Sequence, residues 1–182
     1  MATGAVSAPL AQLPNALTVL RLALIPAFVV TYLSADDGSS WAAGWIFLVA
    51  GVTDQLDGFL ARRWHVESRF GKLADPLADR LMLDAAAILL ALEGKLPWWA
   101  AAVIVARDAL LVGGYKLLVP PDYELEVSRL GKLATWLLYF AIGCLVVVGS
   151  STEWPLWLFY VALALALAAA AQYVVGARRQ AA

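Results

Sequence analysis

The chain has 182 residues, of which 63% are hydrophobic and 15% charged, with a formal net charge of -1. A soluble domain is nearer half apolar and a quarter charged, so this composition indicates a protein that folds in a membrane. The near-zero net charge excludes the strongly basic surface typical of nucleic-acid-binding proteins, and we expect no nucleic-acid partner. Because Cys144 is the only cysteine, an intramolecular disulfide is also excluded.

Six segments are predicted to be membrane-spanning helices, because a span needs about 20 mostly apolar residues. They are Leu17–Leu33, Trp41–Leu60, Leu73–Leu92, Trp98–Leu118, Leu133–Val148 and Trp154–Val175. Tryptophans concentrate near the ends of these segments, as expected at a membrane–water interface. We therefore predict an all-α integral membrane protein with six transmembrane helices. It forms one domain over residues 1–182, with a short N-terminal segment (1–14) and a basic C-terminal tail (176–182).

The distribution of basic residues predicts the orientation of these helices. The connections after the second and fourth segments hold six lysines and arginines, whereas the connections on the opposite side hold only Lys95. Two arginines, Arg178 and Arg179, follow the last segment. Since cytosolic connections carry an excess of lysine and arginine, both termini are predicted to be cytosolic in a multi-pass protein of a bacterial inner (plasma) membrane.

Four aspartates are predicted to converge at the cytosolic side of the second and third segments. Asp54 and Asp57 are three residues apart, and Asp75 and Asp79 are four apart, so each pair shares one face of a helix. If the two helices are antiparallel neighbours, the four carboxylates lie together. Ionised carboxylates in a membrane are costly unless protons, arginines or metal ions compensate them. Oxygen ligands of this kind suit Mg²⁺, Mn²⁺ or Ca²⁺, and two divalent ions would neutralise all four charges and could hold a diphosphate.

A D-x-x-D pair alone is usually a solvated helix end, but here it belongs to a longer pattern. That pattern reads Asp54-x2-Asp57-Gly58-x2-Ala61-Arg62-x8-Gly71-x3-Asp75-x3-Asp79. An ion transporter is an alternative from another class, because carboxylates inside membranes also mark ion paths. A transporter predicts acids spread across the bilayer, whereas these four aspartates lie at one end, which counts against that alternative.

The pattern resembles the signature of the CDP-alcohol phosphotransferases, D-x2-D-G-x2-A-R-x8-G-x3-D-x3-D, and matches it at every position. The stretch "PNALTVLRLALIPAF" is similar to the first-helix motif of that family, with Asn15, Thr18 and Arg21 in the usual places. The stretches "VARDALL" and "RLGKLAT" resemble later motifs of the branch that makes phosphatidylglycerol phosphate and cardiolipin. The resemblance implies transfer of a phosphatidyl group from CDP-diacylglycerol to a glycerol-type hydroxyl, with release of CMP.

The resemblance also implies roles for individual residues. Four aspartates would hold two divalent cations, Mg²⁺ or Mn²⁺, in a cytosol-facing cavity: Asp54, Asp57, Asp75 and Asp79. Asp79 would also be the general base, because a hydroxyl must lose its proton to a group such as a carboxylate as it attacks. The CDP-lipid would be bound by Gly58, Ala61, Arg62 and Gly71. Members of the family are often homodimers, so a homodimer is implied here as well.

The acceptor would be bound by Arg107 and Lys132, which match basic residues of the later motifs. Phosphatidylglycerol phosphate synthases typically read G-K-x-K-T where this chain has Ala134 in place of the second lysine. Glycerol-3-phosphate carries nearly two negative charges and phosphatidylglycerol carries one, so a pocket with one lysine fewer suits phosphatidylglycerol better. The form G-K-x-A-T is also similar to actinobacterial cardiolipin synthases. We therefore predict a cardiolipin synthase, with phosphatidylglycerol phosphate synthase as the alternative and phosphatidylinositol phosphate synthase as a less favoured one.

Arg80 and Asp84 are two further charges within the third segment. They are four residues apart, a spacing at which side chains of opposite charge meet on a helix surface. Helical geometry directs them away from Asp75 and Asp79. We therefore predict that Arg80 and Asp84 form a structural ion pair.

Overall fold

The structure, a computed structural model, describes residues 13–35, 38–64, 69–118, 129–148 and 152–180. These residues form six α-helices, numbered here in chain order. They are α1 (Leu13–Leu33), α2 (Trp41–Trp64), α3 (Arg69–Leu92), α4 (Trp98–Leu118), α5 (Arg129–Val147) and α6 (Trp154–Gln180). Each helix coincides with one of the six predicted segments, which confirms the all-α prediction.

Three of the described helices are long and apolar enough to cross a membrane. The spans are Ala16–Leu33 in α1, Leu130–Val147 in α5 and Trp154–Gln172 in α6. The α2 helix contributes a shorter apolar stretch, Trp41–Asp54. Charged residues interrupt the remainder of α2, and they also interrupt α3 and α4. Since charges facing lipid are costly, these three helices need neighbours that cover their polar positions.

The α3 helix lies at the centre of the bundle and packs against α1, α2, α4 and α5. It can approach so many neighbours because its inward positions include Ala86, Ala87 and Ala91, all buried. The α6 helix packs mainly on α5 and also presents small residues, such as Ala162 and Ala166. Between helices in lipid, attraction comes largely from close van der Waals contact, which small side chains permit.

A row of aromatic rings joins α1, α2 and α5. Phe28 of α1 lies 5.7 Å from Phe47 of α2, and Phe47 lies 5.4 Å from Tyr139 of α5, measured between ring centroids. Close by, α2 and α5 approach so tightly at Gly44 that a β-carbon there would overlap the Val147 side chain. This close approach holds α5 against α2 near the end of both helices.

The turn between α3 and α4 follows directly from the sequence Leu92-Glu93-Gly94-Lys95-Leu96-Pro97. Gly94 has a φ of 73°, a left-handed conformation that glycine adopts without steric cost. The Lys95 N–H donates to the Leu90 carbonyl and the Gly94 N–H donates to the Ala91 carbonyl, the pattern of a Schellman motif. Pro97 then precedes α4, where its missing N–H costs nothing. Helices α3 and α4 therefore form a tight antiparallel hairpin.

The described parts of three connections, residues 34–35 with 38–40, 93–97, and 148 with 152–153, lie at one end of the bundle, called here the tryptophan end. Ser40 N–H donates to the Val146 carbonyl at 3.0 Å, which ties the start of α2 to the end of α5. Six tryptophans at the starts of α2, α4 and α6 are exposed at this end: Trp41, Trp45, Trp98, Trp99, Trp154 and Trp157. Exposed tryptophans at helix ends are typical of the zone where a membrane protein meets the lipid headgroups.

Lys95 fastens this end of the bundle with its side chain. Its amino group donates to the carbonyl oxygens of Leu145 at 3.0 Å and Val148 at 2.8 Å. These carbonyls lie at the C-terminus of α5, where a cation also complements the helix dipole. Burial lowers the pKa of the Lys95 amino group from its ordinary value of 10.5, and the nearby Glu93 carboxylate opposes that shift.

Candidate active site

Charged side chains inside the helices lie at similar depths. Counted along each helix from the tryptophan end at 1.5 Å per residue, they lie roughly 12–20 Å into the bundle. This charged layer, as far as the structure describes its side chains, comprises Arg21, Asp54, Arg80, Asp84, Arg107 and Asp108. A hydrocarbon core is about 30 Å thick, so a bundle that crosses it would carry this layer near its middle. Charges at such a depth are candidates for a functional site.

The first pair in the layer joins α1 to α2. Arg21 Nη1 lies 2.8 Å from Asp54 Oδ1, and the two side chains are 1% and 19% exposed. Arg21 is therefore enclosed between the helices, and its charge is balanced by the first aspartate of the D-x-x-D motif. The partial exposure of Asp54 shows that this carboxylate is reachable at the edge of the pair.

The second group joins α3 to α4 through one carboxylate oxygen. Asp108 Oδ1 accepts a hydrogen bond from Arg80 Nη1 at 2.6 Å and another from Arg107 Nη1 at 3.1 Å. Asp108 is 2% exposed, Arg107 is 10% exposed and Arg80 is 28% exposed. Two cations are therefore held at one buried anion, and Arg80 is the more open of the two.

The prediction that Arg80 forms an ion pair with Asp84 is wrong. Arg80 reaches across to Asp108 of α4 instead, because the antiparallel hairpin brings that carboxylate alongside α3. Asp84 Oδ1 is buried and has no hydrogen-bond partner among the described residues. Asp84 still lies near Arg80, Arg107 and Asp108, so two arginines and two aspartates balance one another in this part of the bundle.

The four predicted metal ligands lie on α2 and α3, which contact each other. Both helices run without interruption through their motif positions, so the spacings of three and four residues are helical spacings as predicted. Of the four side chains, the structure describes that of Asp54. The side chains of Asp57, Asp75 and Asp79 lie outside the described part, as do those of Ala61 and Arg62 and the surroundings of Gly58 and Gly71. Their roles as cation and CDP-lipid ligands stay predictions.

Asp54 fits a site for a divalent cation. It offers hard oxygen donors, it is partly open, and it lies in a layer where an arginine already offsets part of the negative charge. A carboxylate has two oxygens, so contact of Arg21 with Oδ1 is compatible with a cation on the same group. Such a partner would orient the carboxylate, as groups behind metal ligands commonly do.

The predicted acceptor residues differ in their surroundings. Arg107 is nearly buried and contacts Asp108, whereas Lys132 is exposed near the start of α5. Ala134, which replaces the second lysine of the related motif, is fully buried in the core. Its position therefore serves helix packing in this chain, and a lysine substituted there would first disturb the bundle. The role of Lys132 in acceptor binding stays a prediction.

Two contacts in the charged layer were not predicted from the sequence: the salt bridge of Arg80 with Asp108 and that of Arg21 with Asp54. A signal for the first was present. Arg80 and Asp108 are 28 residues apart, with Gly94 midway between them. In an antiparallel hairpin, positions equidistant from the turn lie side by side, so the symmetry about Gly94 would have paired them.

Comparisons with known proteins show which family the chain belongs to. The sequence profile of the CDP-alcohol phosphatidyltransferase family matches residues 11–171. A Mycobacterium tuberculosis protein named "Putative cardiolipin synthase" is 41% identical over 145 residues, covering 79% of this chain and 67% of the relative. The CDP-diacylglycerol–glycerol-3-phosphate 3-phosphatidyltransferase of Escherichia coli is 34% identical over 184 residues, covering 92% and 95%. The Bacillus subtilis enzyme of the same name is 33% identical over 147 residues, covering 74% and 76%.

The profile match covers the first five helices and α6 as far as residue 171, and it includes every position of the aspartate motif. The relatives are named as enzymes of phospholipid synthesis, and three helices of this chain are apolar enough to cross a membrane. The chain therefore belongs to the CDP-alcohol phosphatidyltransferase family and is an enzyme with CDP-alcohol phosphatidyltransferase activity.

Proposed function

We propose that the enzyme transfers the phosphatidyl group of CDP-diacylglycerol to a glycerol hydroxyl of phosphatidylglycerol, giving cardiolipin and CMP. The observation that carries this choice is the 41% identity to the mycobacterial protein, which is higher than the 33–36% identity to the glycerol-3-phosphate enzymes.

In the proposed mechanism, Asp79 accepts the proton of the acceptor hydroxyl as the oxygen attacks the phosphorus of CDP-diacylglycerol that carries the lipid. The bond to CMP breaks on the opposite side, and CMP leaves with the electron pair. Asp54, Asp57, Asp75 and Asp79 would hold two divalent cations, which would neutralise charge on the diphosphate and on the leaving group. Arg62 contacts the diphosphate, while Gly58, Ala61 and Gly71 allow the nucleotide to approach the helix backbone.

The arrangement of Arg21 and Asp54 supports this use of the aspartate motif. Phosphoryl-type transfer depends chiefly on positioning and on electrostatic stabilisation. Arg21 is enclosed in the bundle and in contact with Asp54, so it fixes one of the proposed cation ligands before any substrate binds. A ligand held in this way loses little conformational entropy when the cation and the diphosphate arrive.

Wild-type protein tests the acceptor directly. Purified enzyme is incubated with CDP-diacylglycerol, Mg²⁺ or Mn²⁺, and one acceptor at a time, while CMP release and the lipid product are followed. We expect cardiolipin from phosphatidylglycerol and slower turnover with glycerol-3-phosphate. Rapid use of glycerol-3-phosphate, with no cardiolipin formed, would reject the proposal in favour of the second candidate.

That second candidate is synthesis of phosphatidylglycerol phosphate. It is favoured by the extent of the similarity, since the E. coli enzyme aligns with 92% of this chain whereas the mycobacterial protein aligns with 79%. The same incubation separates the two candidates. The requirement for metal, the homodimer and the location in a bacterial plasma membrane stay predictions.

We further propose that all six helices span the membrane as a single domain, with the tryptophan end outside and the charged layer open to the cytosol. Although α3 and α4 carry charges, Arg80, Arg107 and Asp108 are paired inside the bundle, so these helices can cross lipid. In a Cys144→Ser background, a cysteine at Ser39 should react with an impermeant thiol reagent added to intact cells. A cysteine at Glu67 should react only after the cells are opened, and the opposite pattern would invert the topology.

A further inference from the structure

Arg80 differs from the other arginines described in the charged layer because more than a quarter of its side chain remains open. It is 28% exposed, compared with 1% for Arg21 and 10% for Arg107. Its position lies roughly 18 Å from the tryptophan end along α3, within the hydrocarbon zone. Exposure of a guanidinium to lipid at this depth is costly, so the open part of Arg80 is better accounted for by a polar space inside the protein.

The hydrogen bonds of Arg80 leave room for a ligand. A guanidinium has five N–H donors, and among the described residues Asp108 is the hydrogen-bond acceptor that Arg80 reaches. That bond is short, at 2.6 Å, and its acceptor is fixed in the core of the bundle. One edge of the guanidinium is thus anchored while its remaining donors are available to another acceptor.

Asp108 also brings Arg80 close to Arg107. Because both arginines contact the same oxygen, their Nη1 atoms lie within about 6 Å of each other, a spacing at which one phosphate can contact both. Two such cations repel each other, and a buried carboxylate is a reason for them to stay together without a ligand. The pair lies on the α4 side of α3, where Arg107 is the predicted acceptor residue.

We propose that Arg80 binds a phosphate oxygen of the acceptor, beside Arg107, and that Asp108 is a positioning residue that holds both guanidinium groups for it. This inference rests on the proposed function and adds to it a third basic residue, from α3. The same chemistry fits the phosphodiester of phosphatidylglycerol and the phosphomonoester of glycerol-3-phosphate. Arg80 directly follows Asp79 on α3, so the two positions lie at nearly the same depth, about 100° apart around the helix.

The test separates the two substrates of the reaction. In Arg80→Gln the KM for the acceptor should rise roughly 10- to 100-fold, the range for one charge-assisted hydrogen bond, while the KM for CDP-diacylglycerol changes less than about threefold. Asp108→Asn keeps the oxygen that both arginines contact but removes its negative charge, so its effect on the acceptor KM should lie between those of wild type and Arg80→Gln. Lys95→Gln, the same loss of charge at the tryptophan end, should leave both KM values unchanged.

Other outcomes would overturn the proposal. Unchanged KM values in Arg80→Gln with a lowered Tm would make the contact a structural ion pair. A raised KM for CDP-diacylglycerol alone would place Arg80 at the nucleotide diphosphate instead. If Arg80→Gln fails to fold, Arg80→Lys decides, since it keeps the charge and loses the forked geometry. An acceptor KM raised in Arg80→Lys supports the proposal, and an unchanged one rejects it.

Direct binding keeps this test independent of turnover. Wild type and Arg80→Gln are titrated calorimetrically with glycerol-3-phosphate and, separately, with phosphatidylglycerol in detergent micelles. Weaker binding of either acceptor by the variant supports the role of Arg80, even if the wild type transfers no phosphatidyl group. Equal binding of both acceptors by wild type and variant rejects it.

Discussion

At the tryptophan end, Lys95 donates both of its described hydrogen bonds to the closing carbonyls of α5. In the charged layer, Arg80 has one described bond, to Asp108, and keeps a quarter of its side chain open. Both are cations that link two helices, but the first is committed to backbone groups and the second is held by a carboxylate that it shares. A cation committed to a helix terminus can only stabilise the fold. A cation on a shared carboxylate is pre-positioned for a further anion.

Removal of divalent cations should have the largest effect on activity, and it should leave the contacts at the tryptophan end unchanged. Treatment with EDTA should abolish CMP release, because clustered carboxylates around a diphosphate repel one another without cations. Added Mg²⁺ or Mn²⁺ should restore turnover, and the Tm of the substrate-free protein should change much less than the activity. Full turnover in a metal-free preparation would contradict the proposed mechanism.

Two carboxylate-to-amide changes come next, one near the middle of α3 and one directly after its last residue. Asp79→Asn should lower turnover at least about 100-fold, since general-base catalysis contributes that much or more, while CDP-diacylglycerol binding is partly retained. Glu93→Gln makes the same chemical change at the tryptophan end and should leave turnover near that of the wild type. CMP release under saturating substrates measures both variants. Near-normal activity of Asp79→Asn would mean that another group takes the proton.

Loss of a lysine at the start of α5 should affect the acceptor and spare the fold. Lys132 is exposed, so Lys132→Met removes no packing and should leave the Tm unchanged. If Lys132 contacts the acceptor phosphate, the acceptor KM should rise about tenfold, which corresponds to one charge-assisted hydrogen bond. An unchanged KM would show that Lys132 is simply a solvated residue.

Loss of Lys95, at the other end of α5, should lower stability and spare acceptor binding. Of the changes considered, it should have the smallest effect on activity. Lys95→Met removes two hydrogen bonds to the α5 carbonyls and should lower the free energy of unfolding by about 1–3 kcal/mol. Thermal unfolding in detergent should show a lower Tm, with both KM values preserved. A change in KM with no change in Tm would contradict the purely structural role assigned to Lys95.

The fold was largely predictable because its main signals are local. Runs of apolar residues located all six helices, and Gly94 and Pro97 in "LEGKLP" marked the turn that the Schellman motif forms. The partner of Arg80 was not predicted, because the rule applied to it considers neighbours on one helix. Which of two carboxylates, Asp84 or Asp108, receives the guanidinium depends on how α3 and α4 face each other, and that relation follows from the hairpin.

The site was predictable in its depth and only partly in its contacts. The spacing of the aspartates placed them on helices that the structure confirms, and Asp54 lies in the charged layer. The contact between Arg21 and Asp54 joins residues that are distant in sequence, and no helical periodicity relates them. The burial of Ala134 was likewise not predictable, because a motif comparison indicates which residue is replaced and gives no information about where its side chain packs.

The tight turn at Gly94 has a consequence for how this enzyme tolerates change in length. Surface connections usually accept insertions, since their lengths affect little beyond the loop itself. Here the turn sets the position of Asp108 along and around α4 relative to Arg80 on α3. One residue added within α4 before Asp108 would rotate that carboxylate by about 100° and move it by about 1.5 Å. The five residues between α3 and α4 and the length of chain that follows them therefore determine which charges can meet some 15 Å away, so a change in length within this hairpin reaches the charged layer.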